Sequence, residues 1–159
     1  MKKIEKTIFL EKFPLAQLDD QRKKLVSMAI LAIDKAYAPY SGFKVGTALL
    51  LEDGQTFSAN NQENICFPVG VCAERLLLGY THANNPDIPP LILAIAAKKA
   101  DGSGMATVTP CGLCRQSISE YEMKFNRPIE ILMYMPDDHV LKAKGIDQLL
   151  PYKFEDLNK

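Results

Sequence analysis

The chain has 159 residues, of which 47% are hydrophobic and 24% are charged. These fractions are typical of globular domains, and they exclude a disordered chain or one built around membrane spans. Lysine and arginine together number 19, as do aspartate and glutamate, so the formal net charge is zero. The chain therefore lacks the net positive field that supplies most non-specific nucleic-acid affinity, which favours a small-molecule substrate over a polynucleotide.

A length near the commonest domain size predicts one domain over residues 1–159, because two halves would each bury too little surface. The lysines after Met1 could begin a signal peptide, but charged residues interrupt every apolar run that could follow. These residues are Glu5, Lys6, Glu11 and Lys12. We therefore expect a cytoplasmic protein whose cysteines serve metal binding or redox chemistry rather than structural disulfides.

In chain order, the first predicted element is a helix that Asp19 or Asp20 caps and that extends to residue 36. Its apolar residues recur at three- and four-residue steps. A turn at Ser41 and Gly42 follows. The Val- and Leu-rich residues 43–51 then predict a strand, which Asp-Gly at 53–54 folds into a hairpin with residues 56–59.

The second half of the chain alternates between helices and strands. Residues 72–80 favour a helix by composition, and residues 91–97 form an apolar run typical of a buried strand. A further helix is predicted at 112–121, directly after a proline, and a last strand at 129–134. This order predicts an α/β sheet with helices packed on its faces.

Three cysteines stand at two predicted helix starts, and they carry the chemistry. Cys72 begins the sequence Cys-Ala-Glu-Arg, while Cys111 and Cys114 belong to Pro-Cys-Gly-Leu-Cys. Zinc accepts thiolates in tetrahedral geometry, and a catalytic zinc site keeps three protein ligands with one position open. Helix N-termini favour thiolate over thiol, so the pattern predicts a site with one zinc ion.

Two charged residues follow Cys72 closely. Glu74 is too hard a ligand to compete for a thiolate-rich ion, yet it is near enough to exchange protons at the metal, so we assign it general acid and base duty. Three thiolates on one divalent ion leave a formal negative charge, and Arg75 is the candidate that balances it. Taken alone, each could instead be an ordinary charged residue on a helix surface.

Two other interpretations of the cysteines remain open. Cys66 lies six residues before Cys72 and could complete a closed structural zinc site, although a buried free thiol in an apolar stretch is common. The pair Cys111 and Cys114 has the spacing of a redox disulfide at a helix start. Neither interpretation explains a glutamate two residues after Cys72.

At these residues the chain resembles cytidine deaminase in its small form, whose zinc is held by three cysteines; the general signature and the role of its glutamate are known for zinc deaminases. The resemblance extends to residues 43–49, 61–64 and 149–151, and to Phe154. It covers the chain from about residue 20 onward, as one domain would, and leaves residues 1–17 as an extension of unknown role. It implies a three-layer α/β/α fold with a mixed five-stranded sheet.

The resemblance also implies roles for individual residues in the binding of a nucleoside. Phe43 would lie against the pyrimidine, Asn61 and Glu63 would bind the ribose hydroxyl, and the backbone at Ala73 would bind the base carbonyl. Phe154 would reach a neighbouring subunit's site in a homotetramer, with a homodimer as the alternative. From the residues alone, a turn after the hairpin explains Asn61 and Glu63. Strand alternation places Phe43 equally well in the core or at a pocket wall, and C-terminal packing alone would explain Phe154.

The implied activity is the hydrolytic, zinc-dependent deamination of cytidine and deoxycytidine to uridine and deoxyuridine, with release of ammonia, as in pyrimidine salvage. One alternative is a deaminase of a modified cytosine nucleoside such as blasticidin. The other is a non-enzymatic domain that zinc stabilises. Glu74 discriminates between an enzyme and a structural zinc domain, because only an enzyme needs a proton carrier at the metal.

Overall fold

The computed structural model describes residues 1–154. Within these residues the chain forms three α-helices and seven β-strands. The helices are α1 Asp20–Ala32, α2 Ala73–Asn84 and α3 Gly112–Phe125. The strands are β1 Glu11–Pro14, β2 Lys44–Leu51, β3 Thr56–Asn60, β4 Pro90–Lys98, β5 Met105–Ala106, β6 Glu130–Tyr134 and β7 His139–Ala143.

All seven strands belong to one sheet, in the order β1-β7-β6-β4-β2-β3, with β5 paired to β4. Strands β4 and β6 are parallel, and α3 lies in the connection between them. The remaining pairs between named strands are antiparallel. The mixed sheet confirms the predicted fold class, but the expected count of five strands was too low.

Helices cover both faces of the sheet, because the side chains of its central strands are apolar on both sides. Leu93 and Ile95 of β4 pack in one cluster with Leu77 of α2 and Ile118 of α3. The alternate residues of β4 belong to a second cluster that contains the buried face of α1. The strand period of two thus divides the core into two layers, which confirms the three-layer α/β/α architecture.

Gly46 of β2 lies directly against the backbone at the C-terminal end of α1. A Cβ atom at this position would lie 2.1 Å from the carbonyl oxygen of Ala29 and 2.7 Å from the backbone nitrogen of Ile33. Both atoms belong to backbone, so neither can turn away as a flexible side chain would. The glycine therefore sets the spacing between the helix layer and the sheet.

Three strands and several helix ends differ from the sequence predictions. Strands β1, β5 and β7 were not predicted, and β1 lies inside the predicted extension 1–17, where it pairs with β7. Helix α1 ends at Ala32 and continues as a 3-10 turn over Ile33–Lys35, whereas α2 and α3 extend four residues beyond their predicted ends. In residues 1–154, no helix combines the length and the apolar character needed to cross a membrane.

Candidate active site

Three thiols meet where α2 and α3 begin. Cys72 is the N-cap residue of α2, Cys111 is the N-cap residue of α3, and Cys114 lies in the first turn of α3. The Sγ atoms of Cys72 and Cys111 are 4.0 Å apart, those of Cys111 and Cys114 are 3.5 Å apart, and all three lie within 4.8 Å of one another. Tetrahedral zinc with bonds of about 2.3 Å to sulfur requires separations of roughly 3.8 Å, so the donor set fits zinc.

The surroundings of the cluster favour a thiolate at Cys72. A hydrogen bond from Cys114 is the largest cause that lowers the pKa of the Cys72 thiol to about 6, and Cys111 acts in the same direction. The positive charge of Arg75 lowers the pKa of Cys72 further, against the effect of burial. The side chain proposed to balance the charge therefore acts on a thiol of the cluster.

Cys66 lies outside this cluster. The group of thiols able to hold one metal ion in the described part of the chain consists of Cys72, Cys111 and Cys114. Cys66 is exposed in the loop before α2, where its backbone N–H donates to the side chain of Asn64. The geometry therefore favours a site with three protein ligands over a closed site with four.

Glu74 is the second residue of α2, and its side chain is buried, with 4% of its surface exposed. Burial is the largest cause that raises its pKa, and the negative charge of Cys72 adds to this effect. The Cys114 thiol acts in the opposite direction and lowers the pKa of Glu74, so the carboxyl group and the cluster influence each other. A carboxyl group whose pKa is raised toward neutrality is suited to accept and return a proton.

The backbone near Gln62 connects the predicted ribose-binding residues to the thiol cluster. Gln62 pairs with Val71, the residue before Cys72, through two backbone hydrogen bonds of 3.0 and 2.9 Å. Asn61 and Glu63 flank Gln62. The Asn61 side chain donates to the Phe43 carbonyl at 2.9 Å and accepts from the Val45 N–H at 2.8 Å. These two bonds fix Asn61 against β2 and leave one amide hydrogen and one lone pair for another partner.

Glu63 lines an open pocket of about 350 Å³ together with Tyr40, Ser41, Asn64, Phe67 and Gly70. Its carboxylate accepts from the N–H groups of Tyr40 and Ser41 at 2.9 and 3.2 Å, and from the Ser41 hydroxyl. The hydroxyl bond is the main cause that lowers the pKa of Glu63. Glu63 is therefore an ionised acceptor at the wall of a cavity large enough for a small molecule.

The three remaining predicted residues occupy different environments. Phe43 is half-buried against the core cluster of α2 and α3. Ala73 is fully buried and is the first residue of α2, where backbone N–H groups have no partner inside the helix. Phe154 is 64% exposed, and its carbonyl accepts a bond of 3.1 Å from Gln116. Their proposed contacts with a nucleoside remain predictions.

Two residues beside the site were not identified from the sequence as functional. Ser41 was predicted only as a turn residue, yet its hydroxyl joins the Glu63 carboxylate to the Phe43 N–H. Arg115 follows Cys114 directly and binds two backbone carbonyls. Their partners are a distant carboxylate and backbone oxygens, which no local spacing pattern predicts.

Comparison with known proteins agrees with this geometry. The family model described as "Cytidine and deoxycytidylate deaminase zinc-binding region" matches residues 19–126. The cytidine deaminase of Halalkalibacterium halodurans is 33% identical over 140 residues, which cover 86% of this chain and 98% of that protein. The crystal structure of cytidine deaminase from Burkholderia pseudomallei has a TM-score of 0.69 at 33% identity and covers 82% of this chain and 97% of that one.

A blasticidin-S deaminase of Bacillus cereus is also similar, with 27% identity over 139 residues, 86% of this chain and 94% of that protein. The family match covers most of the described chain and contains all three thiols and Glu74. The matched family is described by its zinc-binding region, and the three thiols are a donor set that fits zinc. The chain belongs to the cytidine and deoxycytidylate deaminase family.

Proposed function

We propose that the protein is a hydrolytic, zinc-dependent deaminase that converts cytidine and deoxycytidine to uridine and deoxyuridine and releases ammonia, as in pyrimidine salvage. One observation carries this proposal: a buried carboxyl group, Glu74, lies beside a three-thiol zinc site. A purely structural zinc site needs four closed ligands and no proton carrier. Cytidine deaminases at about one-third identity over most of the chain support the nucleoside substrate.

Zinc in a site with an open position lowers the pKa of a bound water from about 15.7 toward 7. Cys72, Cys111 and Cys114 would hold the ion through their Sγ atoms. The Glu74 carboxylate would take one proton from the water and give it to the ring nitrogen as the water oxygen bonds to the amine-bearing carbon. It would then take the second proton from that oxygen and give it to the amine, which leaves as ammonia, so that Glu74 ends as the carboxylate it began as. Burial is the main cause that raises the pKa of Glu74, and a raised pKa makes the carboxylate a stronger base for this transfer.

The ribose and the base require other groups. The ionised Glu63 carboxylate at the pocket wall and the adjacent Asn61 amide bind the ribose hydroxyl. The N–H of Ala73 at the start of α2 binds the base carbonyl, and Phe43 packs against the pyrimidine. A substrate without the sugar hydroxyl that cytidine and deoxycytidine share at this position would leave these polar groups unpaired, and an unpaired polar group in a binding site lowers affinity.

The oligomeric state we propose is a homotetramer, with a homodimer as the alternative. The loop before α2 exposes the large apolar side chains of Ile65, Phe67 and Val69. Exposed apolar residues grouped in one segment are typical of a surface that another subunit covers. Phe154 would then reach a neighbouring active site. A cytoplasmic location stays a prediction from the sequence.

A modified cytosine nucleoside is the second candidate substrate, since the blasticidin-S deaminase of Bacillus cereus matches almost the whole chain. The arrangement around Glu63 favours an unmodified ribose, because Tyr40 and Ser41 hold an ionised carboxylate ready for a hydroxyl donor. Turnover of cytidine, deoxycytidine and blasticidin S by the same preparation ranks the three substrates directly.

The substitution Glu74→Gln tests the proposal, and Glu120→Gln on the exposed surface of α3 is the matched control. We expect Glu74→Gln to keep one zinc ion per chain while kcat for cytidine falls about 10²- to 10⁴-fold, the usual contribution of a general acid–base group. Glu120→Gln should leave both values unchanged. Wild-type turnover in Glu74→Gln would show that Glu74 is not the proton carrier and would contradict the proposed mechanism.

A further inference from the structure

The Arg115 guanidinium joins the start of α3, which carries Cys111 and Cys114, to the C-terminal part of the chain. Its Nε donates to the Pro110 carbonyl at 2.8 Å, and its Nη1 donates to the Leu149 carbonyl at 2.8 Å. Pro110 is the residue before Cys111, and Arg115 is the residue after Cys114. One side chain therefore bridges the two ends of the segment 110–115, which forms the start of α3 and carries both thiols. The same side chain attaches this helix start to residue 149.

The segment that receives Arg115 is itself held along α3. The N–H of Ile146 donates at 2.8 Å to Glu122 Oε1, and the carbonyl of Phe154 accepts from Gln116 Nε2 at 3.1 Å. Ile146 and Leu149 are buried in the same core cluster as Ile118 of α3. Residues 146–154 thus form a fixed support next to the helix start that bears the thiols.

The N-terminal residues contact the same support. The N–H of Phe9 donates to Gln148 Oε1 at 2.9 Å, and the hydroxyl of Tyr152 donates to the Ile4 carbonyl at 3.2 Å. Lys6 donates to the Pro151 carbonyl and lies 5.1 Å from the centre of the Tyr152 ring. Residues 4–9, which the family resemblance does not explain, therefore bind across the C-terminal segment.

We propose that Arg115 is a positioning residue that holds Cys111 and Cys114 at their zinc-binding separation, and that residues 4–9 support it by fixing residues 148–152. Two carbonyl acceptors in different directions suit the planar, many-donor guanidinium, whereas the single ammonium of a lysine cannot reproduce its fork. The inference rests on the zinc site but not on which nucleoside is deaminated.

The rate at which the protein loses zinc to an excess of a chromogenic chelator tests this proposal without any activity assay. Groups that orient metal ligands usually contribute about 10- to 100-fold to metal affinity, so Arg115→Met should release zinc at least about tenfold faster than wild type. The rate of zinc release from Arg115→Lys should lie between the rates of wild type and Arg115→Met. Deletion of residues 1–9, or Gln148→Ala, should accelerate release by a smaller factor.

Arg22→Met is the matched control. Arg22 forms two bonds to the Glu130 carboxylate, of 2.6 and 3.1 Å, at the start of β6 beyond the C-terminal end of α3. The 14 residues of α3 span roughly 20 Å, so this ion pair lies away from the thiols. Its loss should lower Tm and leave zinc release unchanged.

The cobalt-substituted protein supplies a second signal, because thiolate-to-cobalt absorption changes when a thiol moves away from the metal. We expect this band to weaken or shift in Arg115→Met and to stay unchanged in Arg22→Met. Wild-type release and absorption in Arg115→Met would overturn the proposal, as would equal acceleration in Arg22→Met. If Arg115→Met fails to fold, zinc release and cobalt absorption are measured on Arg115→Lys and on the 1–9 deletion instead. Wild-type values in both of these variants would overturn the proposal. A wild-type protein that bound no zinc would instead contradict the zinc site itself.

Discussion

The Sγ atom of Cys72 lies 4.0 Å from that of Cys111, although 39 positions separate the two residues in the chain. Each is the N-cap residue of its own helix, and both helices pack on the same face of the sheet. The fold thus brings two helix N-termini to one point, where their partial positive charges favour thiolates. Bound zinc would link α2 to α3 at this point.

Loss of a cluster thiol should remove the metal. We expect Cys72→Ser to bind less than one zinc ion per chain and to unfold at a lower temperature, since metal binding contributes folding free energy. Cys66→Ser is the control, because Cys66 is exposed outside the cluster. Metal analysis and thermal unfolding of the two variants check this prediction. Zinc loss in Cys66→Ser would favour the closed structural site instead.

The buried carboxyl of Glu122 should make stability depend on pH. Burial raises its pKa, although Ile129 N–H and Ile146 N–H both donate to Oε1 at 2.8 Å. A carboxyl with a raised folded-state pKa contributes stability that is fully present below the unfolded pKa and is lost as the pH rises through the folded value.

The variant Glu122→Gln keeps a neutral acceptor and should lose this dependence. The unfolding free energy of wild type relative to Glu122→Gln should therefore fall as the pH rises from about 4 through the folded pKa. Urea unfolding of both proteins over this range measures the difference. Glu122→Ala should be less stable than Glu122→Gln by about 1–3 kcal/mol, because it leaves buried N–H groups unpaired. If the difference in unfolding free energy between wild type and Glu122→Gln stays constant with pH, Glu122 does not have the raised pKa described here.

Gly46 should not tolerate a side chain. A Cβ there would overlap the backbone of Ala29 in α1 and of Ile33 in the 3-10 turn that follows, so Gly46→Ala should cost at least about 1–3 kcal/mol of unfolding free energy. Gly79 offers the matched control, since it is exposed within α2 and an added Cβ would meet no atom within 4 Å. Gly79→Ala should stabilise the protein by roughly 0.5–1 kcal/mol. Denaturant titration measures both changes, and equal effects would refute the close approach.

Phe67 should contribute to an interface between subunits. Its side chain is 73% exposed and packs edge-on against Tyr40 at the pocket that Glu63 lines. If the protein is the homotetramer proposed above, Phe67→Ser should weaken the contact between subunits and lower activity upon dilution, because the pocket would lose its cover. Sedimentation together with activity at several protein concentrations checks both effects. Full activity in a demonstrated monomer would be incompatible with shared active sites.

The central strands were predictable from the sequence, and the edge strands were not. Strands β2, β4 and β6 are apolar because they lie inside the three-layer core, and this composition indicates a strand without any knowledge of neighbours. Strand β1 has four residues, two of them charged, and β7 is only partly buried. Such strands form because a neighbouring strand offers backbone partners, which leaves little periodic signal in their own residues.

The thiol cluster was predictable because its residues are adjacent in two short motifs, and the structure brings the three thiols together. The supporting contacts depend on tertiary structure. Ser41 reaches Glu63 across 22 positions, and Arg115 reaches the Leu149 carbonyl across 34. A backbone carbonyl is present at every residue, so the sequence does not reveal which one an arginine selects.

Zinc content and the ultraviolet absorbance change with cytidine, measured on one purified sample, test the central claim most directly. We predict one tightly held zinc ion per chain together with complete conversion of cytidine to uridine. One zinc ion without turnover of cytidine or deoxycytidine would contradict the proposed activity and leave a modified nucleoside or a structural role for the site.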